Sequence, residues 1–290
     1  MTRRRIIIRR EPSCQLYVLG VFLLSAVILF SSISLAGAQV NSIPYFLLSS
    51  EVIHSTLLQW QDQYPSLVQV HTAQEFFGLP TAGDPEDCPF DTYVTGCLNY
   101  FAVLQDYVAH PTTSQSHQLL PTILLSGELH GNERVGPTAV METARLLLQA
   151  ASCEALSTGN TTDEDPTEAH NCRSYLQQVY NVSDAQRRWL ARLLSTRRIL
   201  LIPTANALGY YRNEREEGSV DVNRDFPYDL LDRRDCMQTV ASRTLNELFR
   251  HYLITTSFTF HGGTELLGYE WGNPSWYGYL SPDDVAQDQL

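Results

Sequence analysis

Residues 121–136 read PTILLSGELHGNERVG. The short apolar run from Pro121 to Leu125 is that of a strand covered on both faces. Gly127 and Gly131 allow a sharp backbone bend without a β-carbon penalty. Beyond the bend, Val140, Ala144, Leu147 and Leu148 fall on one face of a helix predicted over Arg134 to Ala151. A covered strand, a tight turn and a helix form the repeating unit of an α/β sheet, in which ligands sit outside the carboxyl ends of the strands. His130 lies on that turn, three residues before Glu133, and residues three apart share a face as a chain enters a helix. Taken alone, the pair also fits an ordinary helix start, with Asn132 as cap and Glu133 favoured by the helix dipole.

The same alternation extends in both directions. Glu51 to Tyr64 has apolar residues at helical spacing and stops before Pro65. Leu67 to Val70 and Asn99 to Leu104 read as strands separated by a Gly/Pro/Asp-rich stretch. Ser183 to Ser195 is a helix leading into a strand at Arg198 to Ile202. Gln238 to Leu253 is a helix leading into a strand at Thr255 to Phe260. The polar segment 152–171 reads as an inserted surface loop. We find no internal repeat and no linker long enough to divide two domains. The expectation is a single α/β domain over 41–290, with a mixed, mostly parallel sheet flanked by helices on both faces.

Composition narrows the function. The formal charge is −12, and five of the twenty basic residues (Arg3, Arg4, Arg5, Arg9, Arg10) sit in the first ten positions, so the rest is more acidic still. That argues against nucleic acid or an anionic membrane as the main partner. All twenty basic residues are arginine, which excludes a Walker-type phosphate loop, a Schiff-base lysine and a Ser–Lys dyad. The arginine-rich start, the apolar run from Leu16 to Leu35 and Ala36-Gly37-Ala38 make residues 1–38 a signal peptide, or a signal anchor if uncleaved, because the run approaches bilayer-spanning length. Both routes lead into the secretory pathway, to a secreted, extracellular or lysosome-like location; membrane attachment by 16–35 follows only without cleavage. In an oxidising compartment Cys88 pairs with Cys97 and Cys153 with Cys172, each closing a polar loop. Cys236 is left over, which suggests a partner beyond Leu290. Sequons at Asn160 and Asn181 fit the same route.

Three strand ends carry the polar residues that suggest chemistry. His130 and Glu133 follow the strand at 121–125, and His261-Gly262-Gly263 follows the strand at 255–260. The strand at 198–202 runs into a loop rich in Arg, Asn and Asp. Two His and one Glu make a standard ligand set for catalytic zinc, with a fourth position left for water.

GELHGNERVGP, PTANALGYYRNE, DVNRDFPYD and FTFHGG occur in that order, and together they resemble the zinc carboxypeptidase family (carboxypeptidase A/B-like metallopeptidases) from about Ser50 to Leu290. The resemblance implies one Zn²⁺ held by His130, Glu133 and His261, and a substrate terminal carboxylate held by Asn223 and Arg224. A guanidinium fork suits a planar carboxylate. It also implies an oxyanion-stabilising arginine at Arg215, with Arg212 as second choice, and metal-assisted hydrolysis of peptide or protein C-termini. The family's general-base glutamate lies on a late strand, well after the third ligand. Glu265 and Glu270 do not match it, and Tyr269, Tyr277 and Tyr279 do not match its substrate-capping tyrosine. The general-base Glu is therefore expected to be absent from this chain, and the domain to be C-terminally incomplete. Two other readings stay open: a zinc amidohydrolase acting on N-acyl amino acids, and a catalytically inactive homologue that binds peptide C-termini.

Overall fold

A computed structural model of the chain describes residues 45–91, 95–158, 166–227, 236–263 and 267–268. The leader 1–38, the sequon at Asn160, and Glu265, Tyr269, Glu270, Tyr277 and Tyr279 lie outside the described residues. The frame is a sheet of five strands: β1 Val68–Thr72, β2 Tyr100–Leu104, β3 Thr122–Ser126, β4 Arg198–Ile202 and β5 Ile254–Thr259. Their order across the sheet is β1-β2-β4-β3-β5. β4, β3 and β5 pair in parallel, while β2 pairs antiparallel with both β4 and β1. Four of the five strands therefore run the same way and only β2 is reversed, which agrees with a mixed, mostly parallel sheet.

Side-chain alternation along each strand builds two cores. Val68, Ala102, Leu104, Ile199 and Leu201 face one side of the sheet, against Ile53 and Leu57 of α1 (Ser50–Gln63), Val140, Met141 and Leu148 of α4 (Val135–Thr158) and Leu194 of α6 (Asp184–Thr196). Phe101, Val103, Leu124, Leu200 and Ile202 face the other side, against Ala241, Leu245 and Leu248 of α8 (Val240–His251). This period of two is the ordinary consequence of a pleated backbone. It explains why β4, with Arg198 to Ile202 all buried, reads as an unbroken apolar run after its arginine. The β3–α4 and β4–α8–β5 connections thus place helices on opposite faces. The crevice at the carboxyl ends of β3, β4 and β5 lies between them, as doubly wound sheets require.

The short elements α2 (Ala73–Phe77), α3 (Gln115–Gln118) and α7 (Ala207–Arg212) and a 3₁₀ turn at Val222–Arg224 complete the frame. One expectation is corrected. Within the segment expected to be a surface loop, 152–158 and 166–171 are helical: α4 continues to Thr158, and α5 spans Pro166–Tyr180. The Cys153–Cys172 disulfide joins these two helices. Buried Ala169 and Leu176 and partly buried Cys172 form a stripe at helical spacing, and Leu176 packs with Ala150 and Cys153. The second expected disulfide, Cys88–Cys97, is also present. No helix among the described residues is long and apolar enough to cross a membrane.

Leu201 is fully buried at the centre of the sheet, so Leu201→Ala should remove roughly 2–5 kcal/mol of stability through lost burial and a residual cavity. Urea unfolding followed by circular dichroism measures this, and a loss well below about 1 kcal/mol would contradict the packing described.

Candidate metal centre

The turn after β3 is shaped by how near it lies to the turn after β4. A β-carbon built on Gly131 would stand 1.9 Å from the carbonyl carbon of Gly209, and one on Gly127 would stand 2.0 Å from the Pro203 oxygen. Only glycine fits at either point. Backbone bonds tie the two turns together: Gly127 N donates to Ile202 O at 2.9 Å and Gly131 N donates to Arg215 O at 3.3 Å. Asn206 caps α7 through Gly209 N and also donates its side-chain amide to the carbonyls of Leu129 and Arg215. His130 is thereby fixed in a buried position. Glu133 follows one turn later, its amide donating to His130 O at 2.9 Å. α4 begins only at Val135, so both side chains precede the helix and face the crevice from the turn itself.

β5 brings the third group. Its pairing with β3 continues past the strand end, where Phe260 N donates to Ser126 O at 2.9 Å, and His261 follows immediately. His261 Nδ1 lies 2.7 Å from Glu133 Oε2, and His130 Nδ1 lies 3.0 Å from Glu133 Oε1. The two imidazole rings have centroids 4.9 Å apart. Among the described residues, His130, Glu133 and His261 each offer one ligand atom within 4.8 Å of the others. Burial by itself would raise the Glu133 carboxyl. The Gly262 amide, donating at 2.9 Å, and the two histidines more than offset that and hold it below its ordinary value. An ionised carboxylate between two ring nitrogens is a donor set that fits a zinc-sized cation.

Behind His130 stands a residue that the sequence reading passed over. Asp221 Oδ1 lies 3.0 Å from His130 Nε2 and accepts from Asn223 N at 3.0 Å. Asp221 Oδ2 accepts from Arg215 Nε at 3.1 Å and Nη2 at 3.0 Å. With Nε2 facing this carboxylate, the Nδ1 lone pair of His130 is left facing Glu133 and His261; a carboxylate that fixes the tautomer of a ligating histidine is the usual support of such a site. Burial pushes the Asp221 carboxyl up, but Arg215 and His130 together hold it below its ordinary value. The local signal for Asp221 was its place just before Val222-Asn223-Arg224, where it caps the 3₁₀ turn. Its contact with His130 spans 91 positions and leaves no local mark.

The two arginines considered for one role separate in space. Arg215 lies beside the cluster, with Nη1 3.6 Å from Glu133 Oε1. Arg212 points away to the segment just before Cys88, donating from Nε to Asp87 Oδ1 at 2.9 Å and from Nη2 to Asp87 Oδ2 at 2.7 Å and Asp84 Oδ2 at 3.2 Å. The guanidinium of Arg212 in turn holds the Asp87 carboxyl below its ordinary value. Asn223 and Arg224 sit on the 3₁₀ turn, Asn223 half-buried and Arg224 exposed. Below His130, Glu128 is fully buried. Its Oε1 accepts from Asn206 N at 3.1 Å, while its Oε2 has no partner among the described residues. Burial pushes this carboxyl well above the ordinary range and favours its neutral form.

The sequence profile described as "Zinc carboxypeptidase" matches residues 107–289. No curated protein matches the chain. Among solved structures, the chain is similar to carboxypeptidase A from Helicoverpa armigera, with a TM-score of 0.50 and 14% identity over 87% of this chain and 55% of that one. It is also similar to bovine thrombin-activatable fibrinolysis inhibitor in complex with tick carboxypeptidase inhibitor, with a TM-score of 0.44 and 13% identity over 83% of this chain and 68% of that one. The chain thus spans about half the length of the carboxypeptidase A it matches.

The depressed carboxyl of Asp221 has a consequence for stability. Its folded-state value lies below the unfolded value of about 3.9, so its contribution is present above about pH 4 and is lost as pH falls through the lower folded value. The urea midpoint of the parent chain should therefore fall more steeply between about pH 5 and pH 2 than that of Asp221→Asn. Equal slopes for the two chains would show that Arg215 and His130 do not hold this carboxylate in its charged form.

Proposed function

Because the chain belongs to the zinc carboxypeptidase family, we propose that it is a metallocarboxypeptidase-type hydrolase: one zinc ion held by His130, Glu133 and His261, and a peptide or protein C-terminus as substrate. The observation that carries this reading is the convergence of His130 Nδ1, His261 Nδ1 and the Glu133 carboxylate, with Asp221 behind His130. A zinc ion bound there supplies Lewis acidity, polarising a carbonyl and lowering the pKa of a bound water.

The remaining roles belong to the protein. Asp221 keeps a proton on His130 Nε2, so that Nδ1 offers its lone pair to the centre. Glu133 enters ionised and needs no proton removed before it can act as a ligand. The Nη1 side of the Arg215 guanidinium faces the ligands while Nε and Nη2 are tied to Asp221. This arrangement suits it to hold negative charge developing on a carbonyl oxygen. Arg212, committed to Asp84 and Asp87, is set aside for this role. Asn223 and Arg224 are the pair for a substrate carboxylate, which suits an amide and a guanidinium fork. No general base is assigned; Glu265 and Glu270 lie outside the described residues. In keeping with two disulfides and an arginine-rich apolar leader, we place the chain in the secretory route, with 41–290 as one catalytic domain.

Calorimetric titration with Zn²⁺ should give one ion per chain. Glu133→Ala should weaken binding by more than about 100-fold, beyond what losing a partner behind the ligands costs. Mass spectrometry should then show release of the last residue from a peptide with a free carboxyl terminus and none from its amide. Zinc affinity unchanged in Glu133→Ala would overturn the ligand assignment. Cleavage of N-acyl amino acids in place of peptides would move the chain to the amidohydrolase reading, and binding of the free-carboxylate peptide without hydrolysis would move it to the inactive one.

A further inference from the structure

Two loops that flank the metal centre end on the same structural element, the first turn of α8. The free amides of a helix's first turn need partners, and here every one of them can be followed. Thr239 N donates to Asp225 Oδ2 at 2.7 Å. Val240 N donates to Glu217 Oε1 at 2.6 Å and Ala241 N to Glu217 Oε2 at 3.0 Å. Ser242 N donates to the Thr239 hydroxyl at 3.0 Å. Two carboxylates at a helix N-terminus are also favoured by its dipole.

Asp225 holds far more than one bond. It is 1% exposed. Its Oδ1 accepts from Gln238 N at 2.9 Å, and its Oδ2 also accepts from the Thr239 hydroxyl at 2.8 Å and the Ser242 hydroxyl at 2.6 Å. Its own carbonyl accepts from Met237 N at 2.7 Å. Met237 adopts φ 56°, in the left-handed region that methionine seldom visits. Backbone in that state persists where surrounding bonds over-determine it. Asp225 directly follows Asn223-Arg224 and closes their 3₁₀ turn, its amide donating to Val222 O at 3.1 Å. At the other end of the turn stands Asp221, bound to His130 and Arg215. Asn223 and Arg224 are therefore strung between two aspartates, one fixed to the metal centre and the other to α8. Glu217 does the same for Arg215 from two residues away, with its backbone paired to Val220 around Gly218 at φ 65°.

We propose that Asp225 and Glu217 are positioning residues: by fixing the 3₁₀ turn and the Arg215 loop to the N-terminus of α8, they set the distance between the carboxylate-binding pair Asn223–Arg224 and the metal centre. Asp225 governs recognition of the substrate's free carboxylate, and Glu217 governs the placement of Arg215. This rests on the reading of Asn223 and Arg224 given under the proposed function. Neither residue is among the proposed metal ligands or the carboxylate-binding pair, and a general loss of folding is not the expected effect of a conservative change. A carboxamide at 225 keeps the shape but replaces one acceptor oxygen with a donor, which meets the amide of Gln238 or the three donors at Oδ2.

The test compares binding of two peptides to the zinc-loaded chain, identical except that one ends in a free carboxylate and the other in an amide. The parent should prefer the free carboxylate. In Asp225→Asn that preference should fall by about tenfold or more, with amide-peptide affinity and zinc stoichiometry unchanged. Ser242→Ala, which removes the 2.6 Å donor together with the hydroxyl's contacts to Thr239 Oγ1 at 2.9 Å and Thr239 O at 3.1 Å, should lower it by about threefold in a chain that keeps its fold. A parent with no preference overturns the carboxylate-binding reading, and this inference with it. A parent preference retained in both variants overturns the inference alone, as does an equal loss of affinity for both peptides.

Discussion

The approach of the β3–α4 turn to the β4–α7 turn sets the geometry of everything above the sheet. Gly131 and Gly209 pack backbone to backbone at a separation that no β-carbon permits, and Gly127 lies equally close to Pro203. Parallel strands are about 4.8 Å apart, and the chains leaving them would ordinarily diverge around their side chains. Here they are held together by Asn206, which reaches both Leu129 and Arg215. His130 and Arg215 are consequently neighbours although they follow different strands. Asp221 can then contact both with one carboxylate. The same closeness explains why Glu128 is sealed from water: the two turns close over it, and Asn206 N supplies its one bond.

The electrostatics follow from that arrangement. An acidic chain with a formal charge of −12 brings three carboxylates, Glu133, Asp221 and Glu128, to the same pair of turns around two histidines and one arginine. Burial opposes charge on all of them. Glu133 and Asp221 overcome it because each meets ring nitrogens, a backbone amide or a guanidinium, and Glu128 does not because only one amide reaches it. Three carboxyls close together thus end in two states, and the difference lies in the donors each one meets.

Much of the fold was legible before any coordinates. β3, β4 and β5, with α1, α6 and α8, were readable to within a residue or two, because buried strands and amphipathic helices carry their packing in their periodicity. α5 was not, because its first turns fall within 152–171, whose Asp, Glu and Thr content reads as a loop and hides the buried stripe that Ala169 begins. The disulfide pairing was readable from spacing, yet its meaning changed from tying the base of a loop to joining two helices. At the site, His130, Glu133 and His261 were found through ordered motifs. The distinction between Arg215 and Arg212 was not available, since it depends on Asp84 and Asp87 lying more than a hundred positions away. Asp221, Asp225 and Glu217 were missed for the same reason: a carboxylate whose partner is a distant side chain, as His130 is for Asp221, or the distant amides that begin α8, as for Asp225 and Glu217, looks like any surface acid in a one-dimensional reading.

The carbonyl of Asp225 and the amide of Met237 meet at 2.7 Å, so the end of the Asn223–Arg224 turn and the approach to α8 are joined backbone to backbone as well as through the Asp225 carboxylate. A backbone joint is indifferent to the side chains beside it. In evolutionary terms Phe226 and Gln238, which flank the joint, are positions where descendants of one ancestor can change surface character while the turn and the helix keep their relative places.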